Sequence, residues 1–187
     1  MLRLRPLYAL LLFAALQAAH AVDTVVTENP QSGLKSWKKS DRGFSLELIQ
    51  LLPEFVAATY ASRDLPPALF QSMHGYCVFG TVARNETESA LAYRVADWRV
   101  LTADGKQHRL RDKAEWIAVW KKLGVDFGYS ILPGKLTFEA GDWAQGFTTP
   151  KLPPGTHFDL IYVWRQHGKT YTGKLENLAC PPATSQP

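Results

Sequence analysis

The stretch from Tyr76 to Gly105 constrains the fold of this chain more than any other. It reads as an extended apolar run, a polar break at Asn85–Ser89, a second run through Trp98 and a turn at Asp104-Gly105. Valine, threonine and aromatic side chains suit a pleated, half-buried surface, and Asp-Gly supplies the positive φ of a tight hairpin. The centre of the chain is therefore predicted to be β. Leu91, Tyr93 and Val95 share one phase of the second run, whereas Trp98 and Val100 occupy the other. Such a change of phase predicts a bulge near Asp97.

Strand signals resume in the last third. Tyr129 to Leu132, Leu136 with Phe138, and Trp143 to Phe147 are separated by Pro133-Gly134 and Gly141-Asp142. Phe158, Leu160, Tyr162 and Trp164 make one apolar face, and Ile161 and Val163 make the opposite face apolar too. A strand apolar on both sides belongs in the middle of a layered structure. His167-Gly168-Lys169 reads as a hairpin tip, with Tyr171 to Leu178 as the closing strand.

Helices interrupt this pattern twice. Phe44, Leu46 and Leu48 alternate as a short strand, and Pro53 then opens a helix with Glu54 in its first turn. Phe55, Val56, Thr59 and Tyr60 share one helical face; a continuous helix from Leu46, kinked at Pro53, is the competing reading. Pro66-Pro67 ends that helix and opens a second, Ala68 to Met73. The third helix is expected over 112–123, capped by Asp112 with Glu115 at the reciprocal position. Its face of Trp116, Ile117, Trp120 and Leu123 would cover a sheet end or fill a partner's groove. One domain is expected over 44–180, after a flexible lead-in at 22–43 and before a disordered tail at 181–187.

The N-terminus sets the compartment. Arg3 and Arg5 precede an apolar run from Leu7 to Leu16, and Ala19-His20-Ala21 fits a leader-peptidase site, so residues 1–21 read as a cleaved secretory signal. The apolar run is short for a membrane span, so no stable membrane insertion is expected after cleavage. Arg3 and Arg5 are among the 21 basic residues set against 17 acidic ones, so without the leader the chain is near neutral. No basic stripe interleaved with aromatics exists, and no nucleic-acid partner is expected. Lys35-Ser-Trp-Lys-Lys39 reads as a solvated basic tail. Cys77 and Cys180 are the only cysteines, and in an oxidising compartment they are expected to form a disulfide. Closing so long a loop is worth up to about 4–5 kcal/mol by chain entropy.

Several of these signals together resemble the immunoglobulin-like antiparallel β-sandwich modules of bacterial extracytoplasmic proteins. The shared pattern is Arg84-Asn85, Asp97-Trp98, Asp104-Gly105, Leu132-Pro133-Gly134, Gly141-Asp142 with Gly146-Phe147, and Phe158 to Tyr162. The resemblance covers roughly 76–178 and implies a mainly β (α+β) sandwich acting as a non-enzymatic module. The N-terminal helical part and the helix over 112–123 depart from a minimal sandwich.

Chemistry-bearing motifs are sparse. No Gly-x-Ser-x-Gly, phosphate-cradling glycine loop or His-Glu-x-x-His occurs. Met73 and His74, near Cys77, offer the ligand types that suit copper. His108, His157 and His167 lie beside turns. Asp97, Asp104 and Asp142 read as turn caps, with Asp97 also a binding candidate. Trp37, Trp98, Trp116, Trp120, Trp143 and Trp164 are many for this length. Trp98 and Trp164 have core phases, whereas Trp116, Trp120 and Trp143 are candidates for a binding face. The expected function is a periplasmic or secreted binding or accessory module for another envelope protein. The alternative is a periplasmic small-ligand or copper-binding protein with a pocket between sandwich and helices, and an unrecognised hydrolase stands third. In a glycosylating host, Asn85-Glu86-Thr87 is an acceptor site.

Overall fold

The structure, a computed structural model, describes residues 23–184. The predicted leader at 1–21 lies outside the described residues. Two antiparallel sheets face each other. The first runs in the order β1 (Val25–Glu28), β2 (Lys35–Asp41), β3 (Phe44–Gln50), β4 (Phe79–Asn85) and β9 (Trp143–Thr148). The second is built around β10 (His157–Gln166). On one side β10 pairs with β11 (Lys169–Ala179). On the other it pairs with β5 (Leu91–Arg94) and β6 (Arg99–Thr102), which lie end to end. β8 (Lys135–Phe138) flanks β5, and β7 (Gln107–Arg109) flanks β6.

The phase change in the second run is real, but its form differs from a bulge. A single 3-10 turn, Val95–Asp97, separates β5 from β6 and lets both tyrosine and tryptophan face inward. Trp98 then anchors the turn by donating its indole N–H to the Val163 carbonyl (3.2 Å). β10 alternates as expected: Phe158, Leu160, Tyr162 and Trp164 are buried between the sheets. They meet Phe44 and Phe79 of the first sheet, with Phe44–Trp164 centroids 5.4 Å apart and Phe79–Phe158 5.8 Å apart. His167 and Gly168, at φ 51° and 70°, form the tight tip joining β10 to β11.

Two expectations need correction. The expected flexible lead-in at 22–43 is, over its described residues 23–43, ordered instead, because β1 and β2 extend the first sheet. Among its described residues Trp37 is the one fully buried side chain, paired with Leu48 on the neighbouring strand, and Ser36, Lys38 and Ser40 face away. Pairing with β3 satisfies the backbone, so one large aromatic suffices to hold the strand. Tyr129 to Leu132 makes only an isolated bridge, Ile131 to Phe147, rather than a strand. The tail is also partly placed: Pro181 is buried, while 185–187 lie outside the described residues.

The helices are α1 (Pro53–Ala61), α2 (Pro67–Gln71) and α3 (Lys113–Lys122). β3 reaches Gln50, so the continuous helix from Leu46 is excluded. The capping box forms as predicted: the Glu115 N–H donates to Asp112 (2.9 Å), and the Asp112 N–H donates to Glu115 (3.0 Å). The helices enclose a second apolar core of Val56, Tyr60, Leu69, Met73, Trp116 and Trp120, completed by Val78 and Ile131. Leu51 and Phe147 join this cluster to the outer face of the first sheet. Cys77, before β4, and Cys180, after β11, form a disulfide with their Cα atoms 5.4 Å apart. Such a bond belongs to a protein that folds outside the reducing cytosol.

Candidate functional site

The second core does not close completely over the sheet, and a cleft of about 390 Å³ remains. Side chains alternate across a strand, so Ile49, Val82 and Phe147 project from the outer face, and Gly80 between them leaves the floor low. Pro53 turns the chain sharply after β3, and α1 folds back as one wall. Val56 and Tyr60 point into the helical core, whereas Phe55 and Thr59 line the cleft. The segment after α3 supplies the opposite wall with Phe127, Tyr129 and Ser130.

At the base, the Tyr60 hydroxyl donates to Met73 Sδ (3.4 Å) and lies 2.9 Å from Ser130 Oγ. Burial pushes the Tyr60 pKa up to about 12, against smaller opposing effects of Ser130 and Arg63, so the hydroxyl stays protonated. Phe127 and Phe147 stand edge-on to the Tyr60 ring, at 6.2 and 6.3 Å. Arg63, just past the end of α1, holds its guanidinium 5.8 Å from the Phe127 ring centre. It is the one charged residue among the described residues that line the cleft. Phe55 and Tyr129 stand at its edges, 57% and 84% exposed.

The tryptophans divide between core and surface. Trp116 and Trp120 are fully buried, stacked with centroids 5.6 Å apart, and their indole N–H groups donate to Thr149 (2.8 Å) and Ser72 (3.0 Å). Of the two roles open to that helix face, covering the sheet end is the one it takes. Leu123 departs from the expected face and is exposed, because the helix ends at Lys122. Trp143 is half-exposed on β9, with the Arg84 guanidinium 5.3 Å over its ring. Asp97 sits in the 3-10 turn, where Arg94 (3.0 Å) and Arg165 (3.1 Å) hold its carboxyl below the usual range. That pairing fixes the turn to β10.

Met73 and His74 do not converge on a metal. Met73 is buried and accepts from Tyr60, His74 lies edge-on to Phe70 (5.3 Å), and Cys77 is oxidised. Among the described residues, no group of three or more His, Cys, Asp or Glu side chains is placed to hold a metal ion. A second cavity, about 320 Å³, lies beside the disulfide between Leu51, Met73, Tyr76 and Pro181. No helix among the described residues is long and apolar enough to cross a membrane. Asn85 is buried at 1% exposure with its amide nitrogen committed to backbone carbonyls, so it is no glycan acceptor in the folded chain.

Ile49, Phe55, Arg63, Phe127 and Tyr129 are the site residues that sequence reasoning missed. They come from three separate segments, β3, α1 with its end, and 125–130, and no spacing in the chain announces their meeting.

No protein-family model matches this chain, and no curated protein sequence matches it. Among solved structures, a candidate lipoprotein, ycdA, from Bacillus subtilis matches with 12% identity over 84% of this chain and a TM-score of 0.35. This chain spans 35% of that protein. A TM-score of 0.35 is too low to define a shared fold.

Proposed function

We propose that this chain is a non-catalytic binding or accessory module, periplasmic or secreted, that engages another envelope protein through the outer face of its first sheet. The immunoglobulin-like resemblance belongs to the same reading, since such sandwiches commonly present one sheet face to a partner. The observation that carries it is the placement of exposed large apolar side chains. Ile49, Phe55 and Tyr129 border the cleft, and Trp143 lies further along the same face. Exposed large apolar side chains gathered on one face suit a site of interaction, with Glu47, Arg84 and Gln145 as polar groups among them. The test is capture from envelope extract by immobilised wild-type protein, Phe55→Glu and Trp143→Ala. One defined protein retained by wild type and lost from both variants is expected; identical capture by all three contradicts the reading.

The cleft favours a second reading, a small-ligand binder using the gap between sandwich and helices. Its volume lies within the range of small-molecule sites, and polar groups are few and convergent. Native mass spectrometry of gently purified protein tests it, with a bound mass expected that denaturation releases.

A further inference from the structure

We propose that the cleft between α1 and the outer face of the first sheet binds a small carboxylate with an apolar, preferably aromatic, skeleton. The proposal rests on the small-ligand reading of that cleft.

Charge gives the sign of the ligand. Among the described residues Arg63 is the one charged residue lining the cleft, and no carboxylate lines it. The guanidinium lies beside the Phe127 ring, which leaves its planar fork of donors free for an acid group. Arg63 is exposed at the rim, so an acid group can pair with it there while its tail enters the cleft, and a cationic ligand would be repelled. The walls give the rest of the molecule. Phe55, Phe127, Tyr129 and Phe147 offer ring faces and edges, and Ile49 and Val82 give an apolar floor. Edge-to-face contacts of the kind Tyr60 already makes with Phe127 and Phe147 would extend to a ring seated above them. The Ser130 hydroxyl, with Tyr60 protonated beneath it, supplies a neutral hydrogen-bonding point at the base. One cation at the rim, aromatic walls and a neutral polar base suit an amphipathic acid, with its carboxylate toward Arg63 and its skeleton against the sheet.

The test is calorimetric titration of the purified protein with 4-phenylbutyrate and decanoate, each against its neutral alcohol. The acids are expected to bind about tenfold more tightly than the alcohols. Arg63→Gln is expected to remove that preference while leaving alcohol affinity within about twofold, and Arg63→Lys to keep part of it. Equal affinity of acid and alcohol for the wild type, or an acid preference unchanged in Arg63→Gln, overturns the carboxylate assignment and leaves the small-ligand reading standing. Absence of binding by all four compounds at millimolar concentration overturns both. Phe55→Glu changes an exposed residue of the wall, so it is expected to abolish binding of acids and alcohols alike without lowering the melting temperature. Binding that persists in this variant overturns the location.

Discussion

The side-chain amide of Asn85, at the end of β4 in the first sheet, donates to the backbone carbonyl of Glu139, just past β8 in the second, at 2.9 Å. The same nitrogen reaches the Ser89 carbonyl (2.8 Å), and its oxygen accepts from the Thr87 N–H (3.0 Å) and hydroxyl (2.7 Å). One buried side chain thus closes the polar break between β4 and β5 and ties the two layers together at that end.

Removing it strips the part-buried Ser89, Glu139 and Thr87 backbone groups of a partner and leaves a small void at a buried position, both of which cost stability. Asn85→Ala is expected to destabilise the fold by about 2–3 kcal/mol and to lower Tm by roughly 4–12 °C, measured by calorimetry. A shift under about 1 °C would contradict this role.

The disulfide makes a second, independent tie. Cys77 and Cys180 are 103 positions apart, so the unfolded chain gains much freedom on reduction. Replacing both by alanine is expected to cost about 2–5 kcal/mol in urea unfolding. Thiol labelling of the native protein is expected to find neither sulfur reactive. Two labelled thiols in unreduced material would contradict the assignment.

Gly173 on β11 lies opposite Tyr162 on β10, and a Cβ there would occupy the space of the Tyr162 ring. Tyr162 is fully buried among aromatics and cannot swing out cheaply. Gly173→Ala is expected to destabilise by about 1–3 kcal/mol, despite alanine's ordinary advantage over glycine in restricting the unfolded chain. A neutral or stabilising effect in a urea melt would show that the ring has room to move.

Acid sensitivity follows from carboxylates held below their ordinary values, Asp97, Asp104, Glu115 and Asp159, of which two are the most instructive. The Asp112 backbone N–H, then Arg109, hold the Glu115 carboxyl below its ordinary value; Arg94, then Arg165, do the same for Asp97. A carboxylate whose folded pKa is lowered contributes stability above its unfolded value, near 4, and loses it as pH falls through the lower folded value. The urea midpoint of the wild type is therefore expected to fall below about pH 4. Glu115→Gln is expected to start lower and fall less steeply. Parallel acid limbs for the two proteins would remove Glu115 from the explanation.

Much of the sandwich is legible in sequence because its signals are local. The two-faced run Phe158 to Trp164 marks the central strand, His167-Gly168 its hairpin, and Asp112 with Glu115 the start of α3. β1 and β2 are not legible, because Trp37 is the one buried anchor in a segment of lysines and serines. Its partner strand, not its composition, makes it extended. Trp116 and Trp120 show the complementary limit: helical spacing identifies an apolar face, but only the position of Thr149 and Ser72 reveals that the face is turned inward and its indoles satisfied. The cleft is the least legible part. Phe55, Arg63, Phe127 and Phe147 meet through the packing of α1 and the 125–130 segment on β9, and each alone reads as an ordinary helix, loop or strand residue.

Methyl NMR tests the central claim, that the outer face of the first sheet is the working surface, most directly. Ile49 and Val82 carry methyls on the cleft floor, whereas Val56 and Leu69 lie in the helical core behind it. On adding the captured envelope protein or a binding carboxylate, shifts concentrated at Ile49, Val82 and Leu51 are the predicted result. Shifts absent from these three and clustered elsewhere would contradict the account.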